Sequence, residues 1–193
     1  MKLVPCLTLV SLASCAAVQS PTPVPKPDTS LSRPNRISLY AGQRNLDEDD
    51  WSPVDEQATV GLEYAREEPD SAVGWEVGFM GSSDDDSSGG VDFDVHTREV
   101  YAGVRKTFGE EVLRPYAGAG LSLIKAEVDV SPGPDDDDSS AALYMHAGLA
   151  VFATDVVSLA FDLRFLLGSD LELGGSDVDA DYGQLAFVLG FGF

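Results

Sequence analysis

The sequence predicts an all-β fold, namely an eight-stranded antiparallel up-and-down transmembrane β-barrel over residues 36–193. Three observations lead to this prediction. Apolar residues recur at every second position from Arg36 onward, which is the period of a β-strand with two different faces. The opposite faces of the same segments mix glycine with charged and aromatic hydroxyl residues. Long and short connections alternate between the segments, as they do in membrane-spanning barrels.

Each predicted strand has one apolar face, and the longest faces cover nine residues, the length that a tilted strand needs to cross a hydrocarbon core. In chain order, and taking every second residue, these faces are Ile37–Ala41, Ala58–Tyr64, Val73–Phe79, Val100–Val104, Pro115–Leu123, Leu143–Val151, Val157–Phe165 and Leu185–Phe193. The connections are predicted as long loops over 45–56, 81–95, 127–140 and 168–181, and as short turns near 66–71, 108–113 and 153–156. An even strand number puts both termini on one side, which we predict to be the periplasm.

The faces opposite the apolar ones carry Glu and Arg between glycines, so we assign them to the lumen and the apolar faces to lipid. A soluble barrel would have the reverse polarity. Charges inside a barrel must pair, because an isolated buried ion is strongly destabilising. The predicted lumen salt-bridge network consists of Glu63, Glu76, Glu99, Arg105, Arg114, Asp162 and Arg164. A gated pore or a proton path is the alternative, although eight strands leave little open lumen.

The N-terminus is typical of an exported protein. Residues 1–14 read as a signal peptide, with Lys2 before an apolar run that is too short to span a bilayer as a helix. Residues 12–15, Leu-Ala-Ser-Cys, resemble the lipobox of bacterial lipoproteins, and this resemblance implies cleavage before Cys15 and its lipidation. Ordinary cleavage nearby is the alternative. Repeated prolines over residues 15–35 predict an extended periplasmic linker between the anchor and the barrel.

The composition excludes one class of partner. The formal net charge is -21, from 33 acidic and 12 basic residues, whereas nucleic-acid binding needs clustered Lys and Arg. Hydrophobic residues make up 44% of the chain, so we do not expect disorder throughout. Both cysteines, Cys6 and Cys15, precede the predicted barrel, which therefore has no disulfide.

Several segments resemble the small eight-stranded outer-membrane barrels of the OmpA-like and OmpX-like kind. They are Arg114–Leu121 (RPYAGAGL), Tyr144–Gly148 (YMHAG), Asp162–Phe165 (DLRF) and the terminal Phe193. The resemblance covers residues 36–193 and implies a bacterial outer-membrane location, with contact to its lipids and lipopolysaccharide. It also implies that the barrel-assembly machinery reads the last strand and its Phe193. The candidate lipobox departs from most barrels of this kind.

The predicted outer loops are rich in aspartate, which raises the question of a metal site. The spacing of Asp177, Asp179 and Asp181 resembles the start of a calcium loop, and at strand spacing the three carboxylates would share one face. The glycine and the distal glutamate of such a loop are missing. Solvated loops that repel anions are therefore the alternative to Ca²⁺ binding, and we expect no other cofactor.

We predict a structural or surface-interaction role for a monomeric barrel with acidic outer loops and a plugged polar lumen. A narrow channel or transporter for small solutes is the first alternative. A lipid A-modifying enzyme is the second, and it would need a nucleophile, a histidine and an acid close together. His96 lies at a loop edge and His146 points inward beside Tyr144, so we predict no enzymatic activity.

Overall fold

The computed structural model describes residues 33–193 except 53, 70, 89–90, 110 and 132–134. The predicted signal peptide of residues 1–14, the lipidated Cys15 and almost all of the linker lie outside the described residues. These three assignments stay predictions.

Eight long antiparallel strands close into one barrel, which confirms the predicted fold class. The elements are β1 (Asn35–Leu46), α1 (Glu48–Trp51), β2 (Glu56–Arg66), β3 (Gly74–Ser88), β4 (Val91–Thr107), β5 (Leu113–Ser131), β6 (Asp136–Phe152), β7 (Val157–Leu167), β8 (Leu171–Leu173), β9 (Ser176–Val178) and β10 (Tyr182–Gly192). Around the barrel the strand order is β1-β10-β7-β6-β5-β4-β3-β2. In the described part of the chain, no helix is long and apolar enough to cross a membrane.

The first and last barrel strands close the sheet. β1 pairs with β10 from Arg36 opposite Gly192 to Leu46 opposite Tyr182, so the backbone hydrogen-bonding groups of both strands are used and no open edge remains there. The Asn35 side chain donates to the Phe193 carbonyl at 3.3 Å. We call the rim of the barrel that carries these two residues the turn end, and the opposite rim the loop end.

A band of exposed apolar side chains surrounds the barrel, while polar side chains fill its interior. Leu121 and Phe187 are 66% and 65% exposed, whereas Glu99 and Arg164 are fully buried. Soluble proteins show the opposite arrangement, because water favours polar groups outside. The predicted apolar faces therefore point outward and the predicted polar faces point into the lumen.

Strands β3, β4, β5 and β6 extend farthest beyond their predicted bounds. β3 and β4 pair as far as Ser88 opposite Val91, and β5 and β6 as far as Val128 opposite Asp136. Most of the predicted loops 81–95 and 127–140 is therefore strand. The predicted boundaries follow the outward apolar residues, which end at the band, but the backbone ladder does not depend on side-chain polarity and continues beyond it.

The other two long connections contain small elements that the sequence analysis missed. Helix α1 lies between β1 and β2, and the hairpin β8–β9 lies between β7 and β10. The hairpin turns at Gly174 and Gly175, whose φ angles are 61° and 78°. Two consecutive residues at positive φ form a type I′ turn, for which a Gly-Gly pair between two short strands is a recognisable signal. We call α1 and this hairpin together the cap.

Candidate functional site: a charged lumen and a capped loop end

Glu99 on β4 is the centre of a buried network in the lumen. Its carboxylate pairs with Arg44 of β1 at 2.9 Å and with Arg164 of β7 at 2.7 Å. The hydroxyls of Ser122 and Tyr182 donate to the same carboxylate at 2.8 and 2.6 Å. Because β4 is a sheet neighbour of neither β1 nor β7, the two ion pairs cross the lumen.

His146 on β6 is the centre of a second buried cluster, nearer the turn end. Its Nδ1 lies 2.9 Å from the Asp162 carboxylate, and its Nε2 lies 3.0 Å from the Glu76 carboxylate. Tyr116 donates to Asp162 at 2.8 Å, and Tyr144 donates to Glu76 at 2.7 Å. Both buried carboxylates therefore have partners, as a low-dielectric interior requires.

Glu63 and Arg105 form a third buried group, with an ion pair of 2.7 Å. Tyr101 donates to the other carboxylate oxygen of Glu63 at 3.0 Å. The Arg105 guanidinium also lies 4.0 Å from the centre of the Tyr116 ring, within the range of a cation–π interaction. Several fixed partners thus hold each charge of this pair in place.

The remaining predicted lumen residue, Arg114, lies at the turn end. Its Nε donates to the Glu111 carbonyl at 2.8 Å, and its guanidinium lies 4.3 Å from the centre of the Phe152 ring. These contacts make Arg114 part of the closure of the barrel at the short turns.

Arg44 is a charged lumen residue that the sequence analysis missed. It is fully buried, and besides Glu99 it donates to Thr97 and Gln184 at 2.9 and 3.1 Å. The predicted first strand stopped at Ala41, where the apolar alternation ends. The inward parity of Tyr40, continued by four residues, leads to Arg44, and this signal could have identified it.

Glu63, Glu76 and His146 are the candidates for a metal centre. Among the described residues they form a group in which the side-chain ligand atoms all lie within 4.8 Å of one another. One imidazole and two carboxylates suit Zn²⁺ and related ions. Arg105 pairs with Glu63 and Tyr144 donates to Glu76, so the group as it stands is an ion-pair cluster.

The β8–β9 hairpin is bound to β6 through alternate side chains of that strand. Ser140, Asp138 and Asp136 accept hydrogen bonds from the backbone N–H groups of residues 170, 172 and 174, at 2.9, 2.8 and 2.6 Å. We call these three bonds the hairpin latch. The N–H of Glu172, followed by that of Ser139, lowers the pKa of Asp138, because both donors favour the carboxylate. Asp136 and Asp138 are therefore structural hydrogen-bond acceptors as well as surface charges.

Trp51 of α1 holds the other side of the cap. Its indole N–H donates to the Asp179 carbonyl at 2.6 Å, and the Asp179 N–H donates to the Asp50 carboxylate at 3.3 Å. Trp51 is only 4% exposed, and it belongs to an apolar cluster with Val54, Val95 and others. The cap is therefore packed into a buried apolar cluster that continues into the barrel.

The predicted cation site at Asp177, Asp179 and Asp181 does not have the expected arrangement. Asp177 lies in β9, and the other two lie in the segment before β10 rather than on one strand face. The Asp181 carboxylate accepts the N–H groups of Gly168 and Ser169, each at 2.9 Å. Desolvation first, and the charge of Asp181 second, raise the pKa of Asp179. The three carboxylates do not form a cluster among the described residues; Ca²⁺ binding by the loops stays a prediction.

Beyond the apolar band, the outward faces of β4 and β5 become charged. Arg98 and Lys125 lie directly opposite each other, next to the band. Both pair with Glu127, at 3.2 and 3.1 Å, and Lys125 also pairs with Asp137 at 2.8 Å. The first charged row outside the band is therefore basic and anchored by carboxylates.

Farther from the band, the outward face is acidic. Asp94 of β4 lies directly opposite both Asp85 of β3 and Asp129 of β5. We call these three residues the acidic row. His96 lies 3.2 Å from the carboxylate of Asp94, on the exposed surface. Like charges directly opposite each other on a sheet are unfavourable, so the acidic row favours a cationic neighbour.

A closed barrel with an apolar outside and a charged, hydrogen-bonded inside is an outer-membrane β-barrel. The chain belongs to the family of outer membrane protein beta-barrel domains, whose family model matches residues 6–193. It is accordingly a protein of the bacterial outer membrane, which it crosses with the apolar band of its barrel.

Three solved outer-membrane proteins have a similar fold. Ail, the attachment invasion locus protein of Yersinia pestis, is 20% identical with a TM-score of 0.59, over 82% of this chain and 97% of its own. Neisserial surface protein A is 17% identical with a TM-score of 0.61, over 82% and 96%. The N-terminal β-barrel domain of Pseudomonas aeruginosa OprF is 16% identical with a TM-score of 0.54, over 82% and 97%. At these identities the similarity shows the fold alone. No curated protein matches the chain.

Proposed function

We propose that this chain is a surface-interaction protein whose plugged barrel presents an acidic loop end to cationic partners. The acidic row of Asp85, Asp94 and Asp129 carries this proposal, because it lies in register on strands that continue beyond the apolar band. A net charge of -21 adds a long-range field that attracts cations. Ail, a barrel of similar fold, has been solved with the heparin analogue sucrose octasulfate; an acidic surface calls for partners of the opposite charge.

The proposed orientation places the loop end outside the cell and both termini in the periplasm. The long connections and the cap lie at the loop end, and outer-membrane barrels have short periplasmic turns. A lipid on Cys15 and the Pro-rich linker would then tether the chain to the periplasmic face of the same membrane. We further propose that Phe193 is read by the barrel-assembly machinery, and that the closed barrel is monomeric.

In this orientation, Arg98 and Lys125 lie level with the headgroups of the outer leaflet. They flank the band on its loop-end side, and their side chains are 59% and 42% exposed. Basic side chains at this depth meet lipopolysaccharide phosphates, or extend to the aqueous interface. Either role would fix the depth of the barrel in the membrane.

The orientation can be tested by cysteine labelling of intact cells. Asp129→Cys at the loop end should react with a membrane-impermeant maleimide, and Glu68→Cys at the turn end should react only after the outer membrane is permeabilised. Labelling of Glu68→Cys alone in intact cells would show that the barrel is inserted the other way round.

The surface role can be tested with fluorescent poly-L-lysine on cells that display the protein. The triple variant Asp85→Asn/Asp94→Asn/Asp129→Asn should bind roughly twofold less polymer than the wild type, because a local field of one sign is weakened. The matched control, Glu68→Gln/Glu111→Gln/Asp155→Asn, removes the same charge at the turn end. Equal binding by all three proteins would rule out the acidic row as an interaction surface.

The plugged lumen distinguishes the proposed role from a channel. Ion pairs from Glu99 cross the lumen to two strands that are not neighbours of β4. Reconstituted in planar bilayers, the protein should give no stable conductance steps. Regular steps that disappear when Glu99 is replaced by Gln would support the channel instead.

We propose no catalytic role. His96 pairs with Asp94 on the outside, and His146 lies between two lumen carboxylates. Cells that overexpress the protein should therefore have an unchanged lipid A profile. A changed profile that His96→Ala or His146→Ala restores would establish a lipid-modifying enzyme.

A further inference from the structure

A cavity of about 700 Å³ opens at the loop end, between the cap and the walls of the barrel. Most of its lining is apolar and comes from elements far apart in the chain. Trp51 belongs to α1, Val95 and Val128 come from β4 and β5, and Leu173 and Val178 come from the hairpin. Its volume is within the range of sites that bind small molecules.

Three aspartates are among the residues that line this mostly apolar cavity: Asp50, Asp135 and Asp136. Asp50 and Asp136 accept backbone N–H groups, from Asp179 at 3.3 Å and from Gly174 at 2.6 Å. These backbone donors fix the positions of the two carboxylates but do not neutralise their negative charge. Among the described residues, no Lys or Arg forms an ion pair with any of the three carboxylates.

Trp51 is fixed in the wall of the cavity. Its indole N–H is bound to the Asp179 carbonyl at 2.6 Å, so the ring is held by α1 on one side and by the segment after the hairpin on the other. The ring is buried, so it forms part of the wall of the cavity and keeps the two sides of the cap together.

We propose that this cavity binds a small amphipathic cation: an apolar ring system or short chain that bears one positive group. The apolar body would lie against Val128, Val130 and Leu173, which are half-buried in the lining, with the positive group at Asp135 and Asp136. Charge complementarity selects this class, because an anion would be repelled and a neutral apolar molecule would shield the carboxylates from water without pairing them. The inference deepens the proposed surface role and rests on it for the statement that the cavity opens to the outside.

Binding can be measured on the full chain in nanodiscs of zwitterionic phosphatidylcholine. The probe is rhodamine 6G, an apolar cation, and fluorescein is the control, because it has a related ring system with negative charge. After subtraction of empty nanodiscs, rhodamine 6G should show a saturable rise in fluorescence anisotropy, and fluorescein should show none. Raising the ionic strength should weaken the binding, because partly exposed charges are screened.

Three variants locate the site. Asp135→Asn/Asp136→Asn keeps the size of both side chains and an oxygen that can accept the Gly174 N–H, and it should weaken the binding of rhodamine 6G about tenfold. Val130→Arg introduces a positive side chain into the lining and should abolish the binding. Asp85→Asn/Asp94→Asn is the matched control: it removes two carboxylates from the acidic row on the outward face, and should change the dissociation constant less than twofold.

Each variant is first checked for heat-modifiable gel mobility, which reports the folded barrel. The proposal is overturned if rhodamine 6G binds no better to loaded nanodiscs than to empty ones. It is also overturned if both double variants weaken the binding equally, because the cause would then be the overall negative field. Poly-L-lysine binding depends on the acidic row and not on the cavity, so failure of the surface role and failure of the cavity are distinguishable.

Discussion

The barrel has two levels built from the same strands: the belt, which carries the apolar band and crosses the membrane, and the extension beyond it at the loop end. In the belt the outward face is apolar and the inward face polar, and in the extension this polarity is reversed. On β5, Leu121 and Leu123 face outward within the belt, and Ser122 faces inward. From the next residues onward the order reverses: Ile124 is fully buried inside, and Lys125 faces outward. The backbone register continues through this change. Strand pairing therefore sets the barrel, while the surrounding solvent at each level decides which face is polar.

The largest effect is expected inside the belt, from Glu99→Gln. This change removes the negative charge from between Arg44 and Arg164, and we expect a loss of about 3–5 kcal/mol in the free energy of unfolding, because two buried cations lose their counter-ion. Urea-induced unfolding in lipid vesicles measures it. Glu68→Gln is the control: it breaks the exposed pair with Arg66 and should cost less than about 1 kcal/mol. Equal costs would mean that the lumen is hydrated like the surface.

The next effect concerns the outward face of β5. Leu121→Arg places a cation in the apolar band and should cost about 2 kcal/mol or more. Asp129→Arg makes the same kind of change on the same face of the same strand, but beyond the band. It should be neutral or slightly stabilising, because Asp129 lies opposite Asp94. Unfolding in lipid vesicles compares the two. A large cost for Asp129→Arg would place the membrane boundary farther toward the loop end.

The hairpin latch should weaken in acid. The pKa of Asp138 is lowered in the folded chain, so its bond to the Glu172 N–H stabilises the cap above the unfolded-state pKa of about 3.9 and is lost as the pH falls through the lower, folded pKa. Asp138→Ala should make the Glu172 amide exchange several-fold faster at neutral pH. Hydrogen exchange in nanodiscs measures this rate. The backbone amide of Ala126, which lies opposite Asp138 on the neighbouring strand β5, is the internal reference. An unchanged rate would mean that the latch does not hold the hairpin.

The smallest effect has the opposite sign and comes from Asp179→Asn. The pKa of Asp179 is raised, so its ionised form destabilises the cap above that pKa, and protonation relieves the penalty as the pH falls through it. The substitution should therefore slow hydrogen exchange in the hairpin slightly at pH 7 and have no effect in acid. Faster exchange at pH 7 would contradict a penalty from the carboxylate.

The belt was predictable from the sequence because its chemistry is local to each strand. Alternation gave the outward faces, and the need to neutralise buried charge pointed to Glu63, Arg105 and their neighbours. The cap was not predictable in the same way. The position of the hairpin depends on hydrogen bonds that Asp136 and Asp138 accept from residues that lie more than thirty positions later in the chain. Only the Gly-Gly turn of the hairpin has a local sequence signal. Beyond the band, the apolar residues of the alternation are the inward ones, such as Ile124 and Ala126 on β5.

The seam between β1 and β10 has a kinetic consequence. Asn35 and Phe193, which are bonded to each other at the turn end, are 158 residues apart in the chain. Closing so long a loop has a large entropic cost and makes such contacts slow to form. Until that contact exists, the sheet is an open ribbon with two unsatisfied edges in a medium that offers no hydrogen bonds. Insertion into the bilayer and ring closure must therefore be nearly simultaneous events, and the rate of closing this one seam should limit how fast the protein matures.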